Sequence, residues 1–262
     1  MNPLGQPTAP EILFAELSIP LAPDQIKSNA DVPPCLSVLL PVFNESQTIG
    51  RVLETVLTQR PVQEVIAVDD GSSDGSWEIL LAVAQKDPRL KVHQHTHNQG
   101  KGAALATAVS FASAPIVIIQ DADLEYDPAE YFLLLEPVLA NKADVVFGSR
   151  FLGARSHRVL YFWHYAGNKV LTLMSNVFTN LNLTDMEVGL KLFRREVIQQ
   201  IQIRERRFGF EPEITAKVSR LGVRIFEVPV SYSGRTYAEG KKITWRDGLS
   251  ALRCIIRYNI MK

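Results

Sequence analysis

A chain of 262 residues, 46% of them hydrophobic, buries roughly 70 to 75% of its unfolded surface, enough for one α/β core. Lys plus Arg and Asp plus Glu balance at 28 each, so no global basic field draws nucleic acid and any anion must be held locally. Two distant cysteines, Cys35 and Cys254, and a start without a charged-then-apolar leader exclude a disulfide framework and point to the cytoplasm.

Residues 1–34 hold Pro3, Pro7, Pro10, Pro20, Pro23, Pro33 and Pro34, which predicts a flexible, mostly extended tail with a helical turn at "EILFAEL". Residues 35–262 are expected to form one domain. In it, β-rich runs alternate with helical patterns: "LSVLL" and Glu45 to Gln59, "EVIAV" and Trp77 to Lys86, "LKVHQ" and Gly102 to Phe111, "PIVIIQ" and Pro128 to Ala140, then "ADVVF". This rhythm predicts an α/β fold with a mostly parallel sheet and helices on both faces. After Arg150 it gives way to an aromatic-rich helical stretch over 157–183, a helix in "EPEITAKVSRLG" and a strand in "VRIFEVPVSY". The apolar runs are too short to cross a bilayer, which takes about 20 apolar residues.

Ligands of open α/β sheets bind beyond the carboxyl ends of the strands. Four polar clusters occupy that address, "PVFNE", "DDGSSDGS", "DAD" and "GSR", gathering Asn44, Glu45, Asp70, Asp121, Asp123 and Arg150 around one pocket. Asp121 and Asp123 repel one another unless a cation intervenes. Hard carboxylates recruit Mg²⁺ or Mn²⁺, which keep positions open for phosphate oxygens, and Glu125 reaches the same side of an extended segment. Asp127, Pro128 and Glu130 fit the cap and first turn of the next helix instead. Asn44 with Gln47 also reads as a capping pair, and Asp70 as a shaper of the Gly71 turn.

Two rival chemistries lack a residue. "GKGAAL" begins like a dinucleotide-binding loop with Asp121 at about the 20-residue spacing, but Leu105 stands at the third glycine position and no P-loop is present. His93, His95 and His97 would share one strand face, yet no downstream Cys or His completes a zinc site.

The ordered set "LPVFNESQTIGRVLE", "VIAVDDGSSDGS", "NQGKGAALATA", "IIQDADLEYDP", "VVFGSRF" and "VPVSYSGRTYAEGKKITWRDG" resembles the family 2 glycosyltransferases of the GT-A fold. Among these it is similar to the dolichyl- and polyprenyl-phosphate sugar synthases, from Leu36 to about Leu252. The resemblance implies a Rossmann-like GT-A sheet with C-terminal interfacial helices. It also implies metal-dependent, inverting transfer of a hexose from a nucleotide-diphosphate sugar, of UDP-glucose or GDP-mannose type, to a polyprenyl or dolichyl phosphate. Pro41, Asn44, Glu45 and Asp70 would hold base and ribose, with Val68, Lys101 and Ala122 in the same nucleotide-binding set. Asp121, Asp123 and Glu125 would hold Mg²⁺ or Mn²⁺, and Arg150 would face phosphate. The basic loop from Arg235 to Lys242, including Lys241, would close over the donor and acceptor phosphates.

The chain departs from those relatives in "DMEVGLK", Asp185 to Lys191, where Val188 and Leu190 replace a small hydroxyl and an aromatic. Were the acceptor a hydroxyl of a soluble or cell-envelope glycan, Asp185 is the candidate base; a non-catalytic nucleotide-sugar-binding protein is the other alternative. A polyprenyl acceptor implies a peripheral enzyme at the cytoplasmic membrane face. Tyr161, Phe162, Trp163, Tyr165 and Phe178 beside Arg158 and Lys169 suit an interfacial helix. Arg155, Arg158 and His164 read as surface or packing residues near the acceptor, and the oligomeric state stays open.

Overall fold

The computed structural model describes residues 26–153, 155–159, 161–236, 239 and 245–260. Seven strands form one sheet: β1 (Leu36–Val42), β2 (Val62–Asp69), β3 (Leu90–Gln94), β4 (Ile116–Ile119), β5 (Val145–Ser149), β6 (Lys191–Arg194) and β7 (Ile225–Pro229), in the spatial order β3-β2-β1-β4-β6-β5-β7. β1, β2 and β4 are almost continuously buried runs of Val, Ile and Leu, as strands covered on both faces require. All pairings are parallel except those of β6, which runs antiparallel to β4 and β5. The helices are α1 (Ile49–Thr58), α2 (Ser76–Ala84), α3 (Lys101–Phe111), α4 (Tyr131–Leu139), α5 (Phe162–Thr179), α6 (Arg195–Gln199), α7 (Phe210–Val218) and α8 (Trp245–Ile260).

The register puts one end of the sheet to use. Val42 aligns with Asp69, Asp69 with Gln94, Leu39 with Ile119 and Ser149 with Pro229, so the carboxyl ends of six strands open at a common mouth. Because β6 is reversed, Lys191 pairs with Ile119, and the segment leading into β6 enters the same mouth.

β6 is the strand that the sequence does not announce, since "KLFR" begins and ends on a cation. Both cations are buried, one hydrogen-bonded and one ion-paired. Lys191 donates to the carbonyls of Met186 and Val188, and Arg194 Nε lies 3.1 Å from Asp144. α1 starts at Ile49 rather than Glu45, because Asn44 takes a left-handed φ of 50° and so does not cap it. Asp127 does cap, accepting from Ala129 N at 2.9 Å, but the first turn it caps is a short 3-10 segment ahead of α4. The 157–183 helix contracts to α5 and stops at Asn180, whose φ is 56°.

Where described, the expected flexible tail is docked instead. Ile26 and Val32 join the core, and Asn29 Nδ2 donates to Gln59 Oε1 at 2.7 Å and to the carbonyls of Pro128 and Ala129 at 3.0 and 3.1 Å. Those contacts outweigh the proline content, while "EILFAEL" lies outside the described residues. Among the described residues no helix is long and apolar enough to cross a membrane.

Candidate active site

Asp121 and Asp123 come after β4 at the mouth of the sheet, and each meets a cation from a different element. Lys101, the first residue of α3, lies 2.8 Å from Asp121 and 3.0 Å from Glu211 in the first turn of α7. Arg235, from the segment after β7, lies 2.8 Å from Asp123, 3.1 Å from Glu45 and 3.5 Å from Glu125. Two cations therefore serve five carboxylates.

Local chain geometry makes these contacts possible. Gly100 precedes Lys101 at a φ of 101°, and a Cβ there would run into the Arg206 carbonyl, so the close approach requires glycine. Gly189 likewise backs directly onto Asp121, where a Cβ would collide with the carboxylate.

The donor chemistry fits a divalent cation. Burial, then repulsion from Asp121 and Glu125, pushes the Asp123 carboxyl up to about 7, a sign of negative charge left uncompensated. No group of three or more His, Cys, Asp or Glu side chains among the described residues forms a metal cage. The Asp121 and Asp123 carboxylates are hard oxygen donors of the kind that hold a divalent cation together with substrate phosphates. Glu125, expected at the metal, is committed elsewhere. Its Oε2 accepts from Tyr232 Oη at 2.9 Å and its Oε1 from Arg235 N at 2.8 Å, so it anchors the segment that carries Arg235.

Arg150 and Asp185 also meet at the mouth, but they face each other. Arg150 Nε and Nη2 donate to the two Asp185 oxygens at 2.6 and 2.7 Å, and Asp185 is wholly buried. In this arrangement Asp185 is the charge partner of Arg150, and the Arg150 fork expected at phosphate is directed at it. The guanidinium carbon sits 5.1 Å from the Tyr232 ring centroid. Val188 and Leu190 are fully buried in the core, which turns the departure in "DMEVGLK" inward, away from solvent.

On the nucleotide side, Asn44 Oδ1 accepts from Ser73 N at 2.9 Å. The Thr48 hydroxyl lies 2.9 Å from both Glu45 Oε2 and the Ala122 carbonyl, stitching the loops after β1 and β4. Pro41 is half-buried, whereas the Val68 side chain is inside the core and offers a ligand only its backbone. Asp70 is turned toward α3, where it accepts from Gln99 N and Gly100 N at 2.9 and 2.6 Å and meets His95 Nδ1 at 2.7 Å. It shapes the loop that presents Lys101. His93 stacks on Phe111 and His97 meets Thr96, so the three histidines do not converge. Lys241 lies outside the described residues.

Sequence reasoning missed Asp69 and Glu211. Asp69 is fully buried at the end of β2. Its Oδ2 accepts from Ser72 N and Gln94 Nε2, both at 3.2 Å, while its Oδ1 has no partner. The period-2 alternation of a strand was the available signal, because neighbouring Asp69 and Asp70 must point to opposite sides. Glu211 sits in a helical pattern and carries no mark of its role until α3 and α7 are seen together.

The model of the family described as glycosyl transferase family 2 matches residues 37–202. The chain belongs to that family. It is similar to an undecaprenyl-phosphate mannosyltransferase of Micrococcus luteus, 29% identical over 215 residues that cover 78% of this chain and 85% of that protein. A polyprenol monophosphomannose synthase of Mycolicibacterium smegmatis is 26% identical over 78% of this chain and 79% of its own. Among solved structures, glucosyl-3-phosphoglycerate synthase of Mycobacterium tuberculosis, in complex with Mn²⁺, UDP and glucosyl-3-phosphoglycerate, superposes with a TM-score of 0.68. It is 20% identical over 86% of this chain and 80% of that one, which establishes the GT-A fold of this glycosyltransferase.

Proposed function

We propose that this glycosyltransferase moves a hexose, with inversion, from a nucleotide-diphosphate sugar to a polyprenyl phosphate, working peripherally at the cytoplasmic face of a membrane. Residues 35–262 serve as its single catalytic domain. The relatives named for undecaprenyl phosphate and polyprenol as acceptors support this reading. The observation that carries it is an apolar face exposed on α5, formed by Phe162, Trp163, Val170, Leu173 and Val177. α5 adjoins the cleft through Lys169, which donates to the Thr184 carbonyl at 3.2 Å and lies 4.4 Å from the Phe151 ring centroid.

In this mechanism Asp69 Oδ1 accepts from a base N–H, while Pro41, Asn44 and Glu45 border the base and ribose. Asp121 and Asp123 would hold Mg²⁺ or Mn²⁺, which when bound supplies Lewis-acid stabilisation of the departing diphosphate. Lys101, 2.8 Å away, holds Asp121 in place. Arg235 and Lys241 turn to the donor and acceptor phosphates, for which guanidinium and ammonium groups are suited. A phosphate monoester has a second pKa of about 6, so the acceptor is already an anion at neutral pH and requires no side-chain base. The engagement of Asp185 by Arg150 agrees with that.

The test is incubation with a panel of radiolabelled UDP- and GDP-sugars and a polyprenyl phosphate, and then organic extraction. Label is expected in the organic phase and only in the presence of a divalent metal. Label confined to a water-soluble glycan would replace this acceptor with a hydroxyl.

A further inference from the structure

A cavity of about 530 Å³ opens between residues 200–204, α7 and α8, and none of its lining residues belongs to the group around Asp121. Arg204, Lys217, Arg220 and Arg257 line it beside Tyr258, and no carboxylate is among the lining residues. Two of these cations are already paired, Lys217 with Glu213 and Arg257 with Glu205, the latter at 3.0 Å. Among the described residues the side chains of the other two bond only to neutral acceptors, although the Arg204 backbone N–H donates to Glu213 at 2.8 Å. Arg204 Nε and Nη2 meet Gln202 Oε1 at a long 3.3 Å, and Arg220 Nη2 donates to the Tyr258 carbonyl. Arg89, Arg150 and Arg224 in the same protein each lie against an aspartate. Among the described residues the side chains of Arg204 and Arg220 have no carboxylate partner, and both line one concavity.

The physics of the cavity selects its ligand. Like charges gathered around a concavity attract anions, and planar guanidinium forks match phosphate oxygens in pairs. Tyr258 gives the cavity a fixed wall, with Lys217 Nζ at 5.1 Å and the Arg257 guanidinium at 5.4 Å from its ring centroid, a geometry of cation–π contact. A volume of this size suits a small organic ligand.

We propose that this cavity, apart from the catalytic cleft, binds a phosphate ester through Arg204 and Arg220. The ester belongs either to a free phosphorylated metabolite or to the headgroup of an anionic lipid; the recognition chemistry is the same. The site is independent of the identity of donor and acceptor.

Titration calorimetry of the full chain with inorganic pyrophosphate tests it, comparing wild type, Arg204→Gln/Arg220→Gln and, as a lesion of the cleft, Arg235→Ala. Saturable binding is expected in wild type and Arg235→Ala, weakened at least about tenfold in the double variant, as loss of charge-assisted hydrogen bonds entails. Both replaced arginines are exposed, and an unchanged unfolding midpoint verifies the fold. Equal affinity in the double variant, binding lost only in Arg235→Ala, or no saturable heat in wild type would each overturn the proposal. Flotation on phosphatidylcholine vesicles with and without phosphatidylglycerol then separates the two sources. Weaker flotation of the double variant on the anionic vesicles assigns the site to a lipid headgroup, and unaltered flotation with lost pyrophosphate binding assigns it to a soluble phosphate.

Discussion

Arg235 donates to Asp123 across 2.8 Å while its other terminal nitrogen lies 3.1 Å from Glu45, so one side chain ties the loops after β1 and β4 to the segment after β7. A guanidinium stays charged at any ordinary pH, and here it stands among carboxylates that also suit a divalent cation. The two cations are alternatives for the same negative charge. With a divalent cation held by Asp121 and Asp123, the Arg235 guanidinium would be released toward phosphate.

Arg235→Ala is therefore expected to lower metal-free stability by about 1 to 2 kcal/mol, since it removes charge-assisted bonds at a half-buried site. Mn²⁺ should restore more stability to this variant than to wild type. Thermal unfolding with and without metal measures both, and an equal metal-induced shift in the two proteins would separate Arg235 from the metal site.

Asp123→Asn should divide stability from activity. The folded-state carboxyl, raised to about 7 from 3.8, favours the protonated form. Its contribution is thus fully present at low pH and is lost as pH rises through 7. Asn removes that cost while still accepting from Arg235. The unfolding midpoint at neutral pH is expected to hold or rise, while transfer falls by about a hundredfold or more. A variant of lowered stability and intact turnover would contradict the assignment.

Much of this site was legible in the sequence, because strand ends and carboxylates are both visible in it. "DAD" after "PIVIIQ" marked the mouth of β4, and the capping residues of "DPAE" marked the helical turn leading into α4. The partners of those carboxylates were not legible. Glu211 lies 110 residues beyond Lys101 and Arg235 lies 112 beyond Asp123, and the reversed β6 and the packing of α3 on the 205–206 segment bring them together. The charge partner of Asp185, Arg150, stands 35 residues earlier, just after β5, a pairing that no local motif shows. Val188 and Leu190 looked like altered specificity residues because burial is not written in the motif.

Asp185 provides a direct test of base against partner. Removing one member of a buried ion pair costs about 3 to 5 kcal/mol, so Asp185→Ala should be strongly destabilised. Asp185→Asn retains an acceptor for Arg150 and is expected to keep transfer to a phosphate acceptor within about tenfold. A loss of about a thousandfold at unchanged stability would instead be the signature of a general base.

Glu64 sets the response of the sheet to acid. It bridges the β1 and β2 edge to residues 113–114, accepting from Ser37 Oγ at 2.6 Å and Ser113 N at 2.7 Å and pairing with Lys91. Burial acts to raise its pKa, yet Lys91, Ser37 and Ser113 outweigh burial and hold it at about 2, against 4.5 when free. Its stabilisation is present above pH 4.5 and is lost as pH falls toward 2. Discounted for the half-exposed Lys91, this amounts to roughly 2 kcal/mol. Glu64→Gln should lose about that much at pH 7 and converge with wild type near pH 2, as chemical denaturation across pH would record.

The exposed side of α5 makes the membrane itself testable. Phe162, Val170, Leu173 and Val177 recur at helical spacing along one exposed stripe, with Trp163 beside it and 81% exposed. A helix that needed its apolar side only for the core would not present a second one to water. Each large apolar side chain moved from water into a membrane interface gains at most roughly 1.5 to 3 kcal/mol, so two together change partitioning by orders of magnitude. Phe162→Ser/Trp163→Ser should leave the unfolding midpoint and pyrophosphate binding intact, because neither side chain is buried. It should abolish flotation on vesicles and depress transfer to a polyprenyl phosphate more than transfer to a short-chain, water-soluble analogue. Unaltered flotation, or equal loss with both acceptors, would remove the membrane from the function of this face.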